Sequence, residues 1–489
     1  MAIETIRADR QAKLVRLFEA GMEAYPARTT RTHTGEQFLE NHAILLKNSE
    51  EIVLAGRVMS MREHGGSLFV DIFDGTSKAQ VYFQKENLAE NAFEQFTLLV
   101  DTGDIIEAGG VAFTTKRGMP SLLGNSWRML AKSLVPVPDQ WFGIKDEEER
   151  YRKRYLDILL SKDLADRIRR RSVFWNTIRQ FLLERDFVEV ETPVLETTTG
   201  GAEARPFVTH HNALDMDVYL RISAGELWQK RLMVAGLPKV FEIGRIFRNE
   251  GMSSEHAQDY TQVEFYEAFK DYEAGMEMVT SLYRAVADKV YGSQIFSIKG
   301  VDVDLAKEWA TYDFCALMRE EYGMDPREAG GASGAAGWSA ALEKKNIPFE
   351  KNAGIERLVD SAWKQIRKTI SGPGFLINVP VYLEPLAKKS AKDPRVVERF
   401  QVMLAGSELG KGFSELNDPS DQAARFKRQQ ELREAGDEEA QMPDAEFVEA
   451  LEYGMPPAFG FGVSERLFSF LEGVSIREAQ IFPLLRRKG

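Results

Sequence analysis

A single cysteine, Cys315, stands in a chain of 489 residues, which excludes internal disulfides and any cysteine-cluster zinc site and leaves the thiol as a small core residue. Histidine is nearly as scarce. Of the six, only His210 and His211 are adjacent, and neighbouring residues on a strand point to opposite faces, so the pair makes a poor chelate. Any metal is therefore expected on carboxylates, which suits magnesium. Also missing is an apolar run long enough to span a bilayer, and the segment MAIETIRADRQAKL is charged rather than signal-like, so a cytoplasmic protein with no membrane partner is expected. Nor is there an excess of basic charge: a net charge of -12 argues against a protein that coats nucleic acid without regard to sequence. Local basic patches for RNA remain, at Arg150, Arg152, Lys153 and Arg154, at Arg167 with Arg169, Arg170 and Arg171, and at Arg486, Arg487 and Lys488. Each reads at least as readily as a solvated helix face or a tail.

What is present is the composition of an ordinary globular protein, 44% hydrophobic and 28% charged, over a length too great for one core, so two domains or more are expected. Residues 1–48 read as a charged helical extension built on Leu14, Leu17 and Phe18, ending in an irregular polar stretch. Residues 49–138 carry about five short strands with a helix between the third and fourth, the layout of an OB-fold barrel. Such barrels stack single-stranded bases on strand-face aromatics, which nominates Phe69 and Gln80; on the residues alone, a core Phe69 and a solvated Gln80 is the plainer reading. Pro136 and Pro138 close the barrel, and residues 139–160 read as a charged linker.

The remainder, 161–489, alternates helix and strand signals. A helix carrying Leu164, Ile168, Trp175, Ile178 and Leu182 runs into FVEVETPVL, which Pro193 ends. An insertion over about 270–370 reads as mainly helical, broken by a glycine and alanine-rich stretch, 329–337, expected to be a loop. Strand signals return in FLINVPVYLEPLAKK and RFQVMLAGSELGKGFSELND, where Glu408 and Glu415 bracket a glycine-rich turn. In GMPPAFGFGVSERLFSFL, close-set glycines precede Glu465-Arg466 and an apolar helix, a pattern suited to a polyphosphate.

The chain is organised around 239–268, KVFEIGRIFRNEGMSSEHAQDYTQVEFYEA. Its ends alternate with period two around a polar middle, so an antiparallel strand pair with a long loop is expected. Phe241, Ile243 and Phe247 share one face, Glu242 and Arg248 the other; across the loop, Val263 and Phe265 oppose Gln262, Glu264 and Tyr266. One face packs a core, and the other suits a ligand with both signs of charge or is merely solvated.

The string Phe247-Arg248-Asn249-Glu250, followed by His256 and Tyr260, resembles the second signature motif of the class II aminoacyl-tRNA synthetases. With RYRKRYLDILL, ARPFVTHHNALDMDVYLRIS, GFSELNDPSDQAARF and SIREAQIFPLL, the chain is similar to the lysyl-tRNA synthetases of that class from the barrel onward. The resemblance implies an α+β fold, with an OB-fold anticodon-binding barrel and an antiparallel-sheet catalytic domain flanked by helices. It also implies ATP-dependent activation of L-lysine, transfer to tRNA(Lys), and a homodimer with 161–193 at its two-fold interface. By position, lysine would be held by Gly201, Glu226, Arg248, Glu264, Tyr266, Phe413 and Glu415. ATP would be held by Arg248, Glu250, His256, Tyr260, Glu408 and Arg466, with Arg248 and Arg466 the catalytic cations. Magnesium would sit on Glu408 and Glu415, and Phe69 and Gln80 would read the anticodon.

Three positions depart from the commonest pattern of that family. Gln401 stands where a second metal-binding glutamate is usual, which puts the number of magnesium ions in question. Lys411 replaces an asparagine of the lysine pocket, where it would repel the substrate unless it points away or pairs with Glu408 or Glu415. The glycine motif before Glu465 is one residue short, and RISAGELWQKRL one residue long. An aspartyl or asparaginyl synthetase shares the architecture, but Glu226, Glu264 and Glu415 would crowd three carboxylates around an anionic or neutral side chain. A non-catalytic RNA-binding paralogue is the other alternative, and retention of Arg248, Glu250, Glu408 and Arg466 argues against it.

Overall fold

The computed structural model describes residues 3–138, 143–251, 253–328, 333–350, 353–437 and 439–488. The expected linker's residues 139–142 and the expected loop's residues 329–332 lie outside the described residues. The chain divides into two compact units, Met1–Lys162 and Asp163–Gly489.

The first unit opens with α1, Ile3–Glu19. The stretch that reads as irregular contains two short helices, α2 (Gly35–Glu40) and α3 (His42–Asn48). Each is too short to show a helical period, but α2 carries a capping box in which Thr34 and Gln37 each bond the other's backbone N–H. Five strands then close a barrel in the order β1-β2-β3-β5-β4: β1 (Glu51–His64), β2 (Ser67–Phe73), β3 (Lys78–Gln84), β4 (Ile105–Thr114) and β5 (Pro120–Ala131). Helix α4, Ala92–Leu99, lies between β3 and β4 in the chain. Strict alternation turns Leu68, Val70, Ile72, Val81 and Phe83 inward, where they join one core with Leu17 and Phe38. Deep in this unit the Lys132 ammonium, with no exposed side-chain surface, sits 2.6 Å from Asp101 and 2.7 Å from Asp104 and donates to Leu99 O at 2.8 Å. Helices α5 (Glu147–Arg152) and α6 (Arg154–Leu160) hold the first basic cluster, which is neutralised locally by Glu148, Glu149 and Asp157.

In the second unit, α7 spans Lys162–Leu183, β6 Val188–Glu189 and β7 Leu195–Glu196. Strands β8 (Val208–His211) and β9 (Met216–Leu220) follow, then α8 (Glu226–Val234), β10 (Lys239–Phe247) and β11 (Asp259–Ala268). The insertion holds α9 (Tyr272–Tyr291), a hairpin of β12 (Ile295–Ile298) and β13 (Val301–Asp304), β14 (Ala310–Asp313), α10 (Phe314–Tyr322), α11 (Ala335–Lys344) and α12 (Ile355–Ile366). The last third supplies β15 (Gly374–Ile377), β16 (Arg399–Leu404), β17 (Ser407–Ser414), α13 (Pro419–Glu434), α14 (Ala445–Glu452), β18 (Ala458–Ser464), α15 (Arg466–Leu471) and α16 (Ile476–Ala479).

Eight of these strands form one sheet, β14-β15-β16-β17-β18-β11-β10-β6, antiparallel across its centre. Its two faces meet different partners. Phe241, Val263, Phe265, Phe400, Phe459 and Phe461 pack against Phe174 and Ile178 of α7 and Val279 and Leu282 of α9. The opposite face carries Tyr266 and Phe413 into a second core with Leu227 and Met233 of α8, Trp363 of α12 and Phe447 of α14. Between these helices, the sheet face is left open over its polar residues. No helix among the described residues is long and apolar enough to cross a membrane.

The buried Lys132 network of the barrel is directly testable. Lys132→Met should leave the buried Asp104 without its cation, Asp101 keeping Lys13, and cost the barrel about 3–5 kcal/mol, read as faster amide hydrogen exchange across β4 and β5; unchanged protection would contradict this account of the barrel.

Candidate active site

On strand β11, Gln262, Glu264 and Tyr266 all fall on the open face of the sheet because their odd-numbered neighbours Val263 and Phe265 are buried beneath it. Glu264 is 3% exposed, and its carboxylate accepts from Ala224 N at 2.8 Å, the Tyr266 hydroxyl at 2.9 Å and Gln262 Nε2 at 2.5 Å. Burial pushes this carboxyl up, Glu226 adds to the effect, and the three donors oppose it. Opposite it in register stands a second acid, Glu242, neutralised by Arg221 and bonded to Thr192 N and Oγ1. The Cα-only positions on β18 make room beside these side chains: a Cβ on Gly460 would come within 2.2 Å of Glu415 Oε1 and 2.3 Å of Tyr266 Cε1.

Glu415 follows β17 and is 1% exposed; its Oε1 has no hydrogen-bond partner among the described residues. Burial raises its pKa, against the pull of the Lys230 ammonium 2.5 Å from Oε2. Lys230, unforeseen from the sequence, also donates to Glu226 Oε1 at 2.8 Å. The spacing from Glu226 to Lys230 on α8 was the available signal, since residues four apart on a helix share a face. Gly201, at φ +86°, brings backbone to within reach of Ser223 and Glu226, where a side chain has no space. Gly201, Glu226, Glu264, Tyr266 and Glu415 line one cavity of about 500 Å³ that also takes in Arg248, Glu250, His256, Tyr260, Glu408, Phe413 and Arg466.

At the other end of the cavity, Arg248 Nε donates to Ile222 O at 3.3 Å, with its guanidinium 6.0 Å from the Tyr260 ring centre. Burial pushes the Glu250 carboxyl up while Arg248 pulls it down. Burial and Arg466 together lower the His256 pKa, and its Nδ1 lies 2.7 Å from Ser253 Oγ. Arg466 is ion-paired with Glu255, which also meets Lys299 at 3.1 Å. Sequence reasoning missed Glu255, although it lies inside the loop that was singled out.

Two families of known proteins match this chain. A family model described as tRNA synthetases class II (D, K and N) matches residues 146–486, and one described as OB-fold nucleic acid binding domain matches residues 52–130. The chain belongs to the class II tRNA synthetases. Among curated synthetases it is 42% identical to a lysine-tRNA ligase of Synechococcus sp. (strain RCC307), over 98% of this chain and 96% of the relative. It is 40% identical to that of Roseiflexus castenholzii, over 99% of each, and 39% identical to that of Thermosipho melanesiensis, over 99% of this chain and 97% of the relative.

Several readings made from the residues change on contact with the geometry, the core Phe69 and solvated Gln80 among them. Phe69 is no core residue: it faces outward on β2, stacked on Tyr82 at 4.5 Å, and Tyr82 in turn stacks on Phe113 at 5.7 Å. Gln80 lies on the same outward face and accepts from Ser121 Oγ at 3.0 Å. The expected metal pair does not assemble. Glu408 accepts from Trp363 Nε1 at 2.7 Å and lies 3.6 Å from Arg367, whereas Glu415 has the Lys230 ammonium against its Oε2, so the two carboxylates do not face one another as a free pair. No group of three or more acidic, histidine or cysteine side chains converges among the described residues.

Lys411 pairs with neither Glu408 nor Glu415 but with Glu384 at 3.2 Å, which Arg399 also meets at 3.0 Å. Gln401 is held by Arg399. Gly460 and Gly462 lie within β18 and line the same cavity as Arg466, and Glu465 is buried against Arg171. The basic cluster on α7 is likewise occupied, Arg167 and Arg170 by Glu472.

Gly460→Ala should raise the KM for lysine by roughly a hundredfold, since the new methyl displaces Glu415 and Tyr266 by more than an ångström, while the KM for ATP changes little. Pyrophosphate exchange kinetics with each substrate varied in turn would check this.

Proposed function

We propose that the chain activates L-lysine with ATP and transfers the lysyl group to the 3′ end of tRNA(Lys), with the Glu226, Glu264 and Glu415 wall selecting the amino acid. The observation that carries this reading is the bare Oε1 of Glu415, a buried carboxylate oxygen awaiting a donor beside Tyr266 and Phe413. A methylene stem ending in an ammonium supplies both the donor and the packing. Glu226 and the backbone at Gly201 would take the α-ammonium, and Arg248 the carboxylate. An aspartyl or asparaginyl substrate is not favoured, because it would bring no second cation to these acids.

The lysine carboxylate is already ionised near neutral pH, so no residue need act as a general base. Its oxygen attacks the α-phosphorus and pyrophosphate leaves, giving lysyl-adenylate. Arg248 would stabilise the charge gathering on the α-phosphate. Arg466 would exchange its pairing with Glu255 for the γ-phosphate, with Glu250, His256 and Tyr260 holding the nucleoside end. Glu408, aimed into the same cavity, fits a magnesium ion that draws its remaining oxygens from phosphates and water, as this ion commonly does. Such an ion would supply charge neutralisation for the phosphates.

The residue ranges given above would serve as extension, anticodon-binding barrel, linker and catalytic domain. Phe69 and Gln80 would stack on and read anticodon bases, with Tyr82 extending the platform. We assign the chain to the cytoplasm and to a homodimer joined through 161–193. Glu415→Gln should raise the KM for lysine about 30-fold by removing a charge-assisted bond worth about 2 kcal/mol; a lysine KM within twofold of the parent would overturn the pocket assignment.

A further inference from the structure

Lys230 has no place in the chemistry just described, yet it is the most deeply buried cation of the site. It is 1% exposed and does not line the cavity; two of the acids that do, Glu226 and Glu415, rest on its ammonium at 2.8 and 2.5 Å. Aromatic rings close around it, with the centres of Phe413 at 5.3 Å and of Tyr266 and Phe447 at 6.0 Å. The side chain comes from α8 and bridges to the end of β17, so it ties the helix that presents Glu226 to the strand that presents Glu415.

We propose that Lys230 is a positioning and specificity-determining residue, a built-in cation beneath the lysine pocket that ties Glu226 to Glu415 and turns both toward the substrate. Charge balance supports this role. Three acids, Glu226, Glu264 and Glu415, meet at the pocket, Lys230 pairs with two of them, and Lys411 is diverted to Glu384. The acids thus outnumber the cation paired with them, and the side-chain ammonium of lysine would redress that surplus. A neutral amino acid would leave that surplus buried and uncompensated, which is costly. Without Lys230, Glu226 and Glu415 would both lose their ion-pair partner.

Geometry points the same way as charge. Glu415 Oε2 faces Lys230 and Oε1 is left bare beside Gly460, so the ammonium fixes which oxygen is offered to a ligand. Burial alone would discharge Lys230, but Glu226 and Glu415 outweigh it and its pKa is raised.

This inference rests on assigning Glu226 and Glu415 to the lysine pocket, and the test separates the two. In pyrophosphate exchange, Lys230→Met and Lys230→Gln are expected to raise the KM for lysine at least tenfold, to leave the KM for ATP within twofold, and to narrow the preference for lysine over methionine. Lys230→Arg, which keeps the charge, is expected to recover most of the lysine affinity. If the neutral variants leave the lysine KM unchanged or lower it while Glu415→Gln raises it, the pocket stands and the role of Lys230 falls. If Glu415→Gln is silent as well, the pocket assignment itself fails. Equal rises in both KM values, or loss of folding in both neutral variants, would make Lys230 a structural ion-pair partner and overturn the proposal.

Discussion

Burying three carboxylates against one another at the open side of the sheet is the constraint around which the catalytic unit is arranged. Each would lose several kcal/mol of hydration without compensation, and the chain meets the cost differently for each. Glu264 receives three neutral donors, one from each of Ala224, Gln262 and Tyr266. Glu226 and Glu415 share the Lys230 ammonium. Glu415 Oε1, buried and away from the ammonium, is left without a hydrogen-bond partner, and the selectivity proposed for the site resides there.

The fold supplies the rest by alternation. Phe265 lies between Glu264 and Tyr266, and Phe459 and Phe461 flank Gly460, so the residues that anchor the sheet to α7 and α9 also force their neighbours into the cavity. Register then sets distance: Tyr266 and Phe413 both oppose Gly460 on adjacent strands, and the missing side chain there gives the two aromatic walls their gap. A one-residue slip of β18 would put Phe459 or Phe461 into that gap. The same logic operates on the barrel, where inward Val81 and Phe83 leave Gln80 and Tyr82 outward beside Phe69.

Much of this was legible in the order of residues. Strong period-two segments such as 239–247 and 259–268 announced their faces, and the five barrel strands did the same. What stayed hidden has physical causes. Helices α2 and α3 are too short for a periodic signature and depend on caps. Phe69 is an aromatic in an alternating strand, and either parity is plausible until the barrel's inward side is known. That Gly460 makes room for Glu415 and Tyr266 was hidden, because sequence shows that a side chain is missing but not which neighbour needs the space. The partners of Lys411 and Arg466, Glu384 and Glu255, lie at separations that no local pattern reports. Lys230 was concealed for the opposite reason, since a lysine four residues after a glutamate on a helix is usually a solvated pair.

The most direct measurement is amino-acid-dependent exchange of pyrophosphate into ATP, run with each of the twenty amino acids and no tRNA. The account predicts exchange with lysine alone, because only lysine brings the buried acids both a second ammonium and a stem for the aromatic walls. Exchange driven by aspartate or asparagine, or none at all from folded protein, would contradict it.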